Sequence, residues 1–228
     1  MSNRLPSVLA LGLSAWLLSG CAGSASPGVG LTVGDEKISA SRIDAATANV
    51  CDAFSDQLEA DGEIVPLRLV KERVVQLLAL RSASEQIADE YDISPSPEYE
   101  QQVTGYKKGA AEMPEEIRAD FIEFVSAQDL QNDVINQVGR LMLAADEIED
   151  PTVEQVIEAG QDVFVTWRDA NGIEVNPKYG VELADDGLLV PADTSLSFAV
   201  SDVAKAGMSA EEDPAYAASL PRNQRCGA

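Results

Sequence analysis

The chain has 228 residues, 45% of them hydrophobic, enough for one sizeable core plus extensions. Its 39 acidic against 16 basic residues give a formal net charge of −23, which opposes nucleic-acid binding through phosphate neutralisation and contact with anionic lipid headgroups beyond an anchor. Histidine is absent, so Ser-His-Asp and Cys-His catalysis, His-ligated zinc and the usual general base near neutral pH are all excluded.

Residues 1–20 read as a signal peptide. Arg4 supplies a short positive region, and Val8 to Leu18 form one apolar run, shorter than the 20 or so residues a membrane-spanning helix needs. The run ends in Leu18-Ser19-Gly20-Cys21, which resembles a bacterial lipobox. There the Cys21 thiol takes a diacylglyceryl group before cleavage; the other reading is an ordinary secretory signal containing a cysteine. Residues 21–29 are small and flexible, as a tether is. The expected location is the extracytoplasmic face of the cell membrane, held by the lipid. With Cys21 lipidated, Cys51 and Cys226 remain. In an oxidising compartment they form a candidate disulfide pinning the tail to an early helix; the alternative is a buried Cys51 and a mobile Cys226 that never meet.

The helical domain is expected over 30–190. Leu31-Thr32-Val33 and Lys37-Ile38-Ser39 flank Gly34-Asp35-Glu36 as a short hairpin. A helix starts near Ser39 or Ser41, with Ile43, Ala46, Val50, Phe54 and Leu58 on one face, and stops at Asp61-Gly62. Pro66 fits the first turn of the next helix, whose stripe of Leu67, Val70, Val74, Leu77, Leu78 and Ile87, widened by Val75 and Leu80, places it at the centre of a bundle. Ser94-Pro95-Ser96-Pro97 breaks the period, and a short helix with Tyr99, Val103 and Tyr106 follows. Pro114 opens a long helix to about Ala145, with Glu115 and Glu116 complementing its dipole. A further helix begins at Asp150-Pro151, or at a Thr152/Gln155 capping box, and ends at Asn171-Gly172. Ile173-Glu174-Val175 then reads as strand, Asn176 to Gly180 as a turn, and Val181-Glu182-Leu183 pairs with Leu188-Leu189-Val190. Residues 191–228 read as an acidic, mostly irregular tail with one short helix at most. The whole predicts a mainly α fold: a helical bundle with one long helix and a small sheet formed by the amino-terminal hairpin and a later strand.

Leu31 to Ser39 (LTVGDEKIS) with Ile43-Asp44 behind it, and Ile173 to Gly180 (IEVNPKYG), resemble the opening and returning segments of the amino-terminal chaperone domain of SurA-like periplasmic foldases and their Gram-positive relatives, PrsA among them. The second segment is similar to the version in actinobacterial lipoproteins. The likeness covers about Gly30 to Leu183. Catalytic members insert a parvulin-type prolyl isomerase domain before the last helix, and no space exists for it between Ala145 and Pro151. The resemblance therefore implies a binder of unfolded or exported polypeptides without isomerase activity, with no catalytic residue, cofactor or metal.

Such a domain works through an apolar cradle, for which Tyr99, Tyr106, Met113, Phe121 and Phe124 are the candidates; the alternative places them in the bundle core, more so for the phenylalanines. A rival function is a structural or accessory envelope lipoprotein with one specific protein partner. An enzyme working through carboxylates ranks third, since acids lie along every helix and no pair stands out. A solute-binding lipoprotein ranks below it, for want of alternating strands and helices.

Overall fold

The computed structural model describes residues 27–184, 189–192, 201–202, 205 and 214–227. Residues 1–26, on which the expected signal peptide, Cys21 and most of the expected tether fall, lie outside them, as does much of the tail. The fold is mainly helical with small antiparallel sheets.

Strands β1 (Val29–Val33) and β2 (Glu36–Ser39) form the expected hairpin. Its turn holds Gly34 at φ 52°, where a side chain would also collide with Trp167. Alternation sends Leu31, Val33 and Ile38 into the core. Strand β4 (Ile173–Val175) returns along the free edge of β1, pairing Leu31 with Val175 and Val33 with Ile173. The Asn176 backbone N–H donates to Gly30 O at 2.9 Å, and its side-chain amide donates to Val29 O at 3.0 Å. This double clamp explains an asparagine at the exit of the strand.

Helix α1 (Ala40–Asp61) is capped by Ser39, whose Oγ accepts from the Arg42 N–H at 3.1 Å, and it ends on Gly62 at φ 69°. Helix α2 (Leu67–Glu90) begins one residue later than the sequence implies. Pro66 is the residue before it and belongs instead to a two-residue strand, β3 (Val65–Pro66). A proline suits that place because it lacks the N–H that an edge would leave unpaired. As expected, α2 is central: it packs on α1, on α4 (Glu115–Ala145), on α5 (Val153–Asn171) and on β1. Helix α3 (Pro97–Gly109) is capped by Ser96, whose Oγ accepts from the Tyr99 N–H at 3.2 Å.

Helix α5 opens with a full capping box: the Thr152 N–H donates to Gln155 Oε1 at 2.9 Å, and the Gln155 N–H donates to Thr152 Oγ1 at 3.3 Å. Asp150-Pro151 therefore precedes the helix and does not start it. Helices α4 and α5 touch backbone to backbone. A Cβ on Gly139 would strike the Val156 carbonyl, and one on Gly160 the Ile135 carbonyl. The two glycines let α4 and α5 lie closer than side-chain packing permits.

After a 3-10 turn at Pro177–Tyr179, β5 (Val181–Leu183) pairs with β6 (Leu189–Pro191) in the expected hairpin. The end of the chain departs from the irregular tail expected over 191–228. A short helix α6 (Pro214–Ser219) buries Ala217, a 3-10 turn follows at Arg222–Gln224, and β7 (Arg225–Cys226) pairs with β3. Cys51 and Cys226 are joined, their Cα atoms 5.5 Å apart and 175 positions apart in sequence. A loop of that length stabilises the fold by up to about 5 kcal/mol through the entropy it removes from the unfolded chain.

Candidate functional site

Three long helices diverge on one face and leave a cleft of about 720 Å³. Leu77, Leu80 and Ala83 of α2 line it. Helix α4 presents Gln128, Gln131, Asn132 and Ile135, and α5 presents Gln161, Phe164, Val165 and Arg168. Both sets follow the spacing i, i+3, i+4, i+7, one face of a helix each. Trp167, Ile173, Leu183 and Leu189 complete the lining from α5, β4, β5 and β6.

The cleft has an apolar floor and a rim of carboxamides. Leu77 and Trp167 are 5% and 7% exposed, while Val165 is 43% exposed. Gln76 on α2 donates from Nε2 to Leu189 O at 2.7 Å, tying the β5–β6 hairpin over one end. Gln128 donates to Gln131 Oε1 at 2.6 Å, whereas the side chains of Asn132 and Gln161 have no partner among the described residues. Two cations stand at the edge. Arg73 donates to Gln76 Oε1 at 3.3 Å, and Arg168 bonds the Asp169 carboxylate at 2.9 and 3.0 Å. Among the described residues no carboxylate lines the cleft, although the chain carries 39 acidic residues. Such a surface offers burial to apolar side chains, and donors and acceptors to a peptide backbone.

The five aromatic and methionine candidates lie elsewhere. Tyr99 is 9% exposed and belongs to the core. Tyr106 on α3 is half-buried and donates its O–H to Asp129 Oδ2 on α4 at 2.6 Å. Met113 sits half-buried in the turn between α3 and α4. Phe121 and Phe124 pack against Phe54 of α1 at centroid distances of 5.5 and 6.1 Å. The structure brings the two phenylalanines together but does not gather the five into one cradle, and none lines the cleft. Tyr99 thus takes the core alternative, Phe121 and Phe124 pack where α1 and α4 meet, and the open surface is lined mostly by Gln, Asn and aliphatic residues. A signal was present in the Gln/Asn face of α4, but it points to a site only once α5 is known to lie opposite.

Charge at the far side of the bundle is structural. Arg42 on α1 meets Asp120 at 2.7 Å and Glu123 at 2.6 Å on α4. Burial lowers the Arg42 pKa, but the two carboxylates outweigh it and leave the value raised. Glu85 is held above the usual carboxylate range, chiefly by burial, with Arg81 opposing. Among the described residues no cluster of His, Cys, Asp or Glu is placed to hold a metal ion, and no helix is long and apolar enough to cross a membrane. Compared with models of known protein families, with curated proteins and with solved structures, the chain matches none.

Proposed function

We propose that this chain is a lipid-anchored, extracytoplasmic binder of polypeptide segments, chaperone-like and without prolyl isomerase activity. The observation that carries the reading is the cleft between α2, α4 and α5: an apolar floor under a carboxamide rim, with no carboxylate among the described residues that line it, in a chain of net charge −23. Apolar burial is non-directional and tolerates varied sequences. Side-chain amides bond the backbone that every polypeptide shares. The volume lies within the range of small-ligand pockets. It takes a few side chains of an extended segment rather than a folded domain. The SurA-like resemblance of the β1–β2 hairpin and the β4 return points the same way. The lipobox at Cys21 supports the anchor.

The test follows the light scattering of a refolding, aggregation-prone client as the chain from Ala22 onward is added; that form retains every described residue. Suppression near equal molar amounts across unrelated clients is expected. Val165→Asp with Gln161→Glu, both at exposed positions, should abolish it by charging the cleft.

A second reading, an accessory lipoprotein with one protein partner, draws on a different surface. Leu141, Ile148, Val153 and Ile157 are 45%, 39%, 70% and 37% exposed around the α4–α5 connection. Exposed apolar residues grouped in this way mark contact surfaces in many proteins. Co-purification of a single stoichiometric envelope protein, lost in Val153→Asp, would favour it over the cleft.

A further inference from the structure

The C-terminal segment closes a second pocket of about 430 Å³ against the start of α2 and the 3-10 turn after β4. Among the described residues its polar lining includes Arg68, Lys71, Lys178, Asn223 and Gln224, and no carboxylate. Three cations on one small concavity are conspicuous where the chain has only 16 among 228 residues. Arg68 is paired with Glu72 and Lys71 with Asp44 at 2.8 Å. Lys178 has no carboxylate partner among the described residues; its ammonium lies 4.7 Å over the Tyr179 ring. The segment that forms the outer wall, Pro214 to Gly227, carries Arg222 and Arg225 and no acid at all. It is held in place by the β3–β7 pairing and the Cys51–Cys226 bond. The concavity thus gathers three cations and two carboxamides, two of the cations in ion pairs and Lys178 outside them, and is walled by a covalently fixed strap.

We propose that this pocket binds a phosphate-bearing anion, with Lys71 and Lys178 as the principal cations and the amides of Asn223 and Gln224 as neutral donors. Phosphate suits the set because its oxygens accept from several ammonium and amide groups at once. The ligand has two possible sources, the headgroup of an anionic phospholipid and a free phosphate compound. The site's position favours the headgroup. Lys178 lies two positions after Asn176, which grips Val29 at the start of the fold. Val29 is eight positions from Cys21, a stretch spanning about 27 Å at full extension. An anchor there keeps the pocket within reach of the bilayer surface. The site does not depend on the cleft binding peptides, and the two are read by different probes.

The experiment titrates inorganic phosphate by calorimetry and co-sediments the chain from Ala22 onward with phosphatidylcholine vesicles, with and without phosphatidylglycerol, at low salt. Lys71→Gln/Lys178→Gln is compared with Lys107→Gln/Lys108→Gln on α3, which has the same net charge. Lys107, Lys108 and Lys178 are exposed, and Lys71 is half-buried in a single ion pair with Asp44, a loss small enough that both variants should fold. Saturable phosphate binding, weakened about tenfold or more in the first variant alone, together with vesicle binding that needs phosphatidylglycerol, supports the pocket with a headgroup as ligand. Phosphate binding without vesicle binding supports the pocket with a free phosphate compound. No phosphate binding, or equal loss in both variants, overturns it.

Discussion

Tyr106 shows how much a single side chain can do in this fold. Its O–H bridges α3 to Asp129 on α4, and that bond, with smaller contributions from burial and the Asp129 charge, raises the phenol pKa. A raised folded-state pKa means that the bond's contribution is fully present below the ordinary phenol pKa and is lost as pH rises through the folded-state value. Tyr106→Phe should therefore cost about 1 kcal/mol in urea unfolding at neutral pH. The gap to the wild type should close in strongly alkaline buffer; a gap independent of pH would mean the ring packing matters and the hydroxyl does not. Gly139 and Gly160 are a second residue-scale feature, and here the absence of a side chain is what counts. Gly139→Ala gains helix propensity, yet should destabilise by about 2–3 kcal/mol because the new methyl meets backbone that cannot move aside. A neutral or stabilising outcome would show that α4 and α5 can separate at little cost.

At the scale of elements, most of the architecture was legible in the sequence because each boundary carried its own chemistry. Ser39, Ser96 and Thr152 cap three helices, Gly62 and Gly172 end two, and the alternation of Leu31 and Val33 gave the strand its buried face. Ile173–Val175 read as a strand ahead of a turn at Asn176 and Pro177, and its return to β1 was implied by the SurA-like resemblance of that segment and not by periodicity. The docking of the last segment was not. Residues 214–227 hold one short helix and a two-residue strand, and what fixes them is a partner strand and a cysteine more than 150 positions away. Local periodicity carries no trace of such contacts. The cysteine pair alone hinted at it. Cys51→Ser/Cys226→Ser should lower the unfolding free energy by about 3–5 kcal/mol and expose the bond after Arg222 to trypsin in the otherwise folded chain. Unchanged protease resistance would mean that β3–β7 pairing suffices to hold the strap.

For the whole molecule the governing feature is the contrast between a net charge of −23 and a cleft whose described lining is apolar and carboxamide, with two arginines at its edge and no carboxylate. Clients that differ in charge should bind the cleft with similar strength once salt screens the remainder; the Debye length is about 8 Å at physiological ionic strength. At low salt, basic clients should bind more tightly than acidic ones, and the preference should fade as salt rises. A preference that salt does not touch would place the discriminating charge inside the cleft. The cleft's residues were all visible in the sequence, but membership in a site depends on which three helices share a face, and that is decided by packing. The aromatic residues singled out from sequence proved to be the joints of the bundle, which is where large side chains bury most area.

The most direct test uses a property of the sequence itself. Of the two tryptophans, Trp16 precedes Ala22 and Trp167 lines the cleft. In the chain from Ala22 onward, Trp167 is therefore the sole tryptophan. Titration with several unrelated, tryptophan-free unfolded polypeptides should give a saturable change in its emission. Val165→Asp/Gln161→Glu should abolish that change and Lys107→Gln/Lys108→Gln should preserve it. Emission that stays constant while aggregation is suppressed would place client binding elsewhere on the molecule. Constant emission with no suppression would contradict the polypeptide-binding account altogether.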